Sequence, residues 1–241
     1  MPAGKPKYRR VILKISGEGF CRSGQSGIDQ EQLQSIARQI ADVVNLNVQT
    51  AVVVGGGNFI RGATIAQQTQ LQPATAHYMG MLATVLNGLA LQDTLEALDI
   101  ATRLQSAINI SAVCEPFIRR RCIRHLEKDR TVILSAGTGN PFVTTDTCAA
   151  LRATEISADV LLKATKVDGV FDKDPVIHPD AKRFDRLTYD EVIDRRLKVM
   201  DVSAIDLCQQ HRVPIVVFNL TEPGNMRRVV MGESVGTLVS D

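Results

Sequence analysis

Five short apolar runs punctuate the chain: VILKIS at 11–16, TAVVVG at 50–55, TVILSAG at 131–137, ADVLLKAT at 158–165 and VPIVVFN at 213–219. They are rich in Val and Ile and do not alternate with polar positions. Strands buried on both faces read this way, and sheets built from them are mostly parallel. Helical periods fill the gaps. In 30–46, Leu33, Ile36, Ala37, Ile40, Val43 and Val44 fall on one face. Asp29 stands at an N-cap position with Gln32 three residues on, and Thr188 with Glu191 repeats the pattern. Strands alternating with helices predict an α/β fold, a three-layer αβα sandwich around a central, mostly parallel sheet. The C-terminal stretch MRRVVMGESVGTLVSD carries two apolar runs around Gly232, Glu233 and Ser234, and predicts a hairpin at the sheet edge. Residues 168–187 predict a long ordered loop, a kind that is usually functional. With no Pro/Gly/Ser linker and no internal repeat, the expectation is a loose tail over 1–7 and a single domain over 8–241.

Composition narrows the class. Apolar residues make up 44% and charged residues 22%, as in an ordinary globular protein. A net charge of +2 gives no global argument for nucleic acid or a membrane surface. The one basic cluster, FIRRRCIRHLEKDR at 117–130, lacks interleaved aromatics and reads as a solvated helix face. No run reaches the ~18 apolar residues of a membrane helix. The N-terminal MPAGKPKYRRVILKIS starts like a signal peptide, but Lys14 interrupts its apolar part and no cleavage site follows. Cys21, Cys114, Cys122, Cys148 and Cys208 are scattered and odd in number, which predicts reduced thiols and a cytoplasmic setting. The four histidines are equally scattered, which speaks against zinc.

The strand ends carry the chemistry. Glycine turns follow all five runs: Gly17-Glu18-Gly19, Gly55-Gly56-Gly57, Gly137-Thr138-Gly139, Asp168-Gly169 and Pro223-Gly224. In open α/β sheets ligands collect at these ends, and glycines let several N–H groups converge on phosphate oxygens. Known phosphate loops do not fit. Gly57 to Thr64 matches the Walker spacing but has Ala63 where the lysine belongs. The dinucleotide pattern fails at Ile60 and at Phe142, and the protein kinase H-R-D and D-F-G motifs are absent. Cations within strands stand out instead. Lys14 and Lys163 each interrupt a buried run, a costly placement unless an anion meets them. Two such lysines at one crevice suit phosphoryl transfer, which needs positioning and charge neutralisation more than covalent help.

These residues resemble the uridylate kinases of the amino acid kinase family. The likeness runs from Tyr8 to Thr237 through LKISGE (13–18), GGGNFIRG (55–62), MGMLATVLNGLALQD (79–93), VILSAGTGNPFVTTD (132–146), LKATKVDGVFDKDP (162–175), LKVMD (197–201) and RRVVMGE (227–233). It implies transfer from Mg²⁺-ATP to UMP, giving UDP, with ATP and Mg²⁺ as cofactors, no dedicated protein cage for the metal, and a homohexamer. It places Lys14, Ile15, Ser16 and Gly17 on the ATP phosphates, with Gly57 and Arg61 near the transferred group. Thr165, Phe171 and Asp174 would border the adenosine. Gly56 would face the UMP phosphate, and Thr138, Gly139, Asn140, Pro141, Phe142, Val143, Thr144 and Thr145 would wrap UMP. Lys163 would neutralise developing charge, while Asp146 and Asp201 would orient the lysines.

The family's usual ribose-binding aspartate is replaced here by His77, which predicts altered discrimination of UMP from dUMP. GTP and UTP are the effectors the resemblance implies. Arg22, Ser23, Gly24, Gln25, Ser26, Gly27, Arg103 and Arg130 match positions tied to an effector site between subunits. Gln92 and Glu96 stand where some relatives carry basic residues, which predicts that GTP does not activate. Two other readings stay open: a carboxylate kinase of the same fold, and a nucleotide-binding protein without turnover.

Overall fold

The structure is a computed structural model that describes residues 5–60 and 70–241. Its strands are β1 (Arg10–Ile15), β2 (Gln49–Val54), β3 (Thr102–Ser106), β4 (Glu115–Pro116), β5 (Thr131–Ser135), β6 (Val160–Thr165), β7 (Val170–Phe171), β8 (Arg183–Phe184), β9 (Arg186–Leu187), β10 (Ile215–Asn219) and β11 (Thr237–Val239). The α-helices among the described residues are α1 (Gln30–Val44), α2 (Pro73–Glu96), α3 (Arg119–Leu126), α4 (Thr145–Glu155), α5 (Tyr189–Asp194), α6 (Val202–Gln210) and α7 (Asn225–Val230). Nine strands form one sheet in the order β4-β3-β5-β2-β1-β6-β10-β11-β9, and β7 pairs with β8 apart from it.

Every pairing from β4 across to β10 is parallel, as the continuous apolar runs require. Both faces are covered. One core holds Leu13, Val52 and Leu162 against α1, α2 and α7. The other holds Ile12, Val53 and Leu161 against α3, α4, α5 and α6. The alternation within β1 puts Val11, Leu13 and Ile15 on the first face and Ile12 on the second. Lys14 therefore points toward the α4 side. The chain leaves β1 to β2 on one flank and later returns to β6 on the other. That reversal makes the β1/β6 boundary a switch point, where crevices open at the carboxyl ends of strands.

Helix starts follow their caps. The Asp29 side chain accepts from the Gln32 amide at the head of α1, and Thr188 and Glu191 form a reciprocal capping box at α5. Helix α2 carries apolar side chains on its exposed side as well as its buried one. Met81, Val85, Leu91 and Leu95 are buried, while Tyr78, Leu82 and Leu86 lie exposed on the opposite side. None of the described helices is long and apolar enough to cross a membrane.

Two expectations need correction. The first arm of the C-terminal hairpin is helical: Asn225–Val230 is α7, whose Met226, Val229 and Val230 are buried. The antiparallel partner of β11 is β10, with Val216 opposite Leu238, and β9 rather than β11 closes the edge. A short run such as RRVV suits helix or strand alike, and packing against α1 decided it. The stretch 168–187 is not an unbroken loop either. It folds into the β7/β8 ribbon and then β9.

Candidate active site

Lys14 and Lys163 are register partners across the β1/β6 ladder, so their side chains leave the sheet side by side on one face. Both reach the same carboxylate. Asp146 Oδ1 lies 2.7 Å from Lys14 Nζ and 2.6 Å from Lys163 Nζ, and Lys163 also donates to Oδ2 at 2.7 Å. Asp146 stands in the first turn of α4, where the helix dipole favours a negative charge. Two cations and one anion leave the crevice with a surplus positive charge, to which the N-terminus of α4 adds its partial charge.

The electrostatics follow from that crowding. Burial raises the Asp146 carboxyl, but the two ammonium groups outweigh it and hold its pKa below the ordinary aspartate value. Burial and then the Lys14 charge depress the Lys163 ammonium from 10.5 to about 8, with Asp146 opposing the fall. An amine so placed gains from an arriving phosphate.

Asp201 meets a different partner from the expected one. Its carboxylate accepts a short hydrogen bond from the Thr144 hydroxyl, and its hydrogen bond is to that hydroxyl rather than to a lysine. The same Thr144 oxygen caps α4 by accepting from the amides of Asp146 and Thr147. Thr147 and Ser203 add a hydroxyl contact of 2.9 Å between α4 and α6. Asp201 thus acts on the helix that carries Asp146, one step removed from the lysines.

The glycine turns converge on the same end of the sheet. A Cβ on Gly17 would lie 2.2 Å from the Gly57 nitrogen, and one on Gly55 would lie 2.6 Å from the Gly17 nitrogen. The loops after β1 and β2 can touch this closely only as glycines. Gly56 packs under α2, where a Cβ would meet the Gly80 carbonyl oxygen at 2.7 Å. Ser16 precedes this contact, and Ile15 ends β1 fully buried.

The loop from β5 to α4 is a chain of left-handed residues: Ala136, Gly137, Gly139 and Phe142 all have positive φ. Two of the four carry a Cβ, and such strain gathers at ligand sites. Thr138, Asn140, Pro141, Val143 and Thr145 complete it, with Asn140 donating to its own Thr138. Phe142 is 68% exposed, and its ring lies 4.8 Å from that of His77 on α2. The two residues expected on UMP from distant parts of the sequence therefore meet.

On the other flank, a cavity of about 380 Å³ is lined by Thr165, Val167, Phe171, Asp174, Lys198 and Val199, among others. It brings together the three residues expected around the adenosine. Thr165 is fixed by its hydroxyl, which donates to the carbonyls of Val167 and Phe218. Phe171 stands on the β7/β8 ribbon, opposite Arg183.

The residues expected at an effector site do not gather in one chain. Arg22 is paired with Asp29 at 2.9 Å and Glu31 at 2.7 Å, and its loop follows the carboxyl end of β1. Ser23, Gly24, Gln25 and Ser26 are exposed. Arg103 and Arg130 lie near the starts of β3 and β5, at the opposite end of the sheet. Arg103 is 3.6 Å from Glu96, and Arg130 is 3.2 Å from His125. Arg61 lies outside the described residues.

Sequence reasoning missed Asn58 and Asn87. Both are buried, and each amide bonds the other. An asparagine in the middle of the apolar helix α2 was the available signal, since a buried amide demands a partner.

A parallel sheet whose switch point holds paired lysines, an aspartate and facing glycine turns defines a phosphate-handling α/β protein. The chain belongs to the amino acid kinase family, whose profile matches residues 9–219. The chloroplastic uridylate kinase PUMPKIN of Arabidopsis thaliana is 55% identical over 233 residues, covering 97% of this chain and 69% of that protein. The UMP kinase structure from Bacillus anthracis superposes with a TM-score of 0.93 at 37% identity, covering 97% of this chain and 96% of that one. The UMP kinase from Ureaplasma parvum gives 0.90 at 34% identity, covering 98% and 100%.

Proposed function

We propose that this kinase transfers the terminal phosphoryl group of ATP to UMP, giving ADP and UDP. The observation that carries the proposal is the pair Lys14 and Lys163, in register on adjacent strands and sharing Asp146. The names of the relatives point to the same acceptor. ATP would lie with its adenosine in the Thr165/Phe171/Asp174 cavity and its phosphates over Ile15, Ser16, Gly17 and Gly57. UMP would lie between Gly56, His77 and the 138–145 loop. The group in transit would then be above the two lysines, with Arg61 as a third cation.

The reaction makes few demands on acid–base chemistry. A phosphate oxygen of UMP attacks the terminal phosphorus of ATP, and the bond to the bridging oxygen breaks. That oxygen leaves on ADP. A UMP phosphate is ionised at neutral pH, so no side chain must remove a proton. Lys14 and Lys163 follow the negative charge as it shifts, and donors of this kind are worth roughly 3–4 kcal/mol each. Asp146 holds them at one spacing before substrate arrives. Among the described residues no three His, Cys, Asp or Glu side chains converge on a metal position. Mg²⁺, which supplies charge neutralisation on the phosphates, fits as a passenger of ATP, held by phosphate and water.

The exposed Tyr78, Leu82 and Leu86 on α2 supply an apolar face for subunit contact, which supports an oligomer. The proposal takes the homohexamer from the family resemblance. Within an oligomer, Arg103 and Arg130 of one subunit could join the 22–27 loop of another, completing the effector site for GTP or UTP. All five cysteines are free and buried, which suits a reducing compartment such as the cytoplasm.

One assay separates the readings. ADP release is followed with Mg-ATP and a panel of UMP, CMP, dUMP, acetylglutamate and aspartate. Turnover with UMP above all others is the expected result. Turnover with a carboxylate would instead make the protein a carboxylate kinase. Tight nucleotide binding without turnover would make it a binding protein.

A further inference from the structure

The glycine turn after β2 is held from beneath by two buried amides. Asn87, fully buried on α2, donates from Nδ2 to the Gly55 carbonyl at 2.7 Å and to Asn58 Oδ1 at 2.7 Å. Asn58, 3% exposed, donates from its own Nδ2 to Asn87 Oδ1 at 2.9 Å and to the Gly27 carbonyl at 2.8 Å. All four amide hydrogens are used. The two backbone carbonyls fix which end of each side chain is nitrogen, because a flipped amide would set oxygen against oxygen. The Gly27 amide returns a bond to the Asn58 carbonyl at 2.9 Å. One reciprocal pair therefore joins three segments: the turn 55–58, helix α2 and the loop 22–27.

The turn is where a small displacement matters. Gly55 and Gly57 lie against Gly17, and Asn58 Oδ1 would be 2.7 Å from a Cβ on Gly17. Moving the 55–58 turn therefore moves the β1 loop with it, and both loops border the site proposed above for the nucleotide phosphates. Nothing else in the described structure bonds the Asn87 side chain, and neither residue reaches the lysines or Asp146.

We infer that Asn58 and Asn87 are positioning residues that lock the glycine turn against Gly17, and that Asn58 ties the 22–27 loop to that lock. The locked turn presents its backbone to the phosphates at one fixed height. Removing the lock leaves the lysine site intact but lets the turn shift by a fraction of an ångström to an ångström. Displacements of that size cost roughly 100-fold in rate when they misplace reacting groups. A substitution that affects positioning in the transition state lowers kcat with little change in KM.

The test pairs Asn87→Asp with Leu91→Ala. Asn87→Asp keeps the side-chain shape but sets a carboxylate oxygen against the Gly55 carbonyl. Leu91 is fully buried on the same helix, one turn beyond Asn87, and has no polar side-chain atom, so its truncation destabilises without removing a hydrogen bond of the lock. Backbone hydrogen exchange is measured at Gly27, Gly55 and Phe59, whose amides are bonded to Asn58, Ile15 and Gly56 carbonyls. Kinetics with ATP and UMP are measured well below each unfolding midpoint. The expected result for Asn87→Asp is faster exchange at all three amides and a kcat lower by about 100-fold, with either KM moving less than about threefold. Leu91→Ala should lose stability while keeping kcat and those exchange rates. Asn87→Ser, which removes the amide without adding charge, carries the same test if the aspartate variant does not fold.

Exchange at Gly55 and Phe59 no faster than in Leu91→Ala overturns the proposal, as does a kcat within about threefold of wild type. The kinetic arm rests on the UMP kinase reading and the exchange arm does not. Failure of the wild-type protein to turn over UMP would sink that reading while leaving the lock to be decided by exchange.

Discussion

Asp146→Asn should move the pH dependence of the reaction before it changes anything else. The variant keeps the shape of the side chain and removes the charge shared by Lys14 and Lys163. Both ammonium nitrogens lie within 2.7 Å of Asp146 Oδ1, so they stand no more than about 5 Å apart. At an effective dielectric near 20, two like charges at that distance repel by about 3 kcal/mol. With Asp146 in place, Lys163 already titrates at about 8 rather than 10.5. Taking the carboxylate away should lower it by roughly one to two further units, allowing for water entering the crevice. Lys163 is protonated below its pKa, so activity that needs its charge is lost as pH rises through that value. In wild type the basic limb of kcat/KM for ATP should therefore fall near pH 8. In the variant it should fall at roughly pH 6–7, making kcat/KM at pH 7.5 about tenfold lower from titration alone. The profile of kcat should fall later than that of kcat/KM in both proteins, because bound phosphates restore the proton. A variant whose kcat/KM profile superposes on that of wild type, apart from scale, would refute the assigned coupling.

Other expectations concern single side chains. Lys14→Ala should cut turnover by about two to three orders of magnitude with the circular dichroism spectrum unchanged, and near-normal turnover would remove the lysine from the mechanism. Lys163 binds its proton less tightly when folded than when unfolded. The folded state thus holds fewer protons between pH 8 and 10.5, and its stability rises across that window. Relative to Lys163→Met, wild type should gain up to about 3 kcal/mol there in urea titrations, and a flat difference would contradict the shift. Phe171→Ala should raise KM for ATP severalfold and leave KM for UMP alone; an equal rise in both would put Phe171 elsewhere. His77→Ala should change the ratio of kcat/KM for UMP over dUMP, and unchanged constants would free His77 from any ribose contact.

The central fold was legible because a parallel sheet writes continuous apolar runs, and the runs at 11–16, 50–55, 131–137, 158–165 and 213–219 overlap β1, β2, β5, β6 and β10. The flanking strand β3 was not. Its sequence, TRLQS, has a single apolar residue and no Val or Ile, yet β5 pairs with it along its whole length. The helix α7 was misread because its run is too short for periodicity to speak. At the site, Lys14 and Lys163 announced themselves by sitting where charge is expensive. The partnership of Asp201 with Thr144 could not be read in advance, since it depends on how α4 and α6 approach each other. The Asn58 and Asn87 lock was hidden for the same reason: each residue is ordinary alone, and only the fold brings partners 29 positions apart into contact.

The register between β1 and β6 has an evolutionary consequence. Lys14 faces Lys163 because the ladder pairs Val11 with Val160 and proceeds one residue at a time. Substitutions along either strand alter what is buried and leave that spacing alone. A single insertion or deletion between Arg10 and Lys14 would turn Lys14 to the α1 face, out of reach of Asp146. These two strands can therefore exchange one core apolar residue for another but cannot change length, and relatives that keep the reaction should keep the count of residues from strand start to lysine. Gains and losses of chain should instead collect in segments such as 172–182, which enter no sheet pairing.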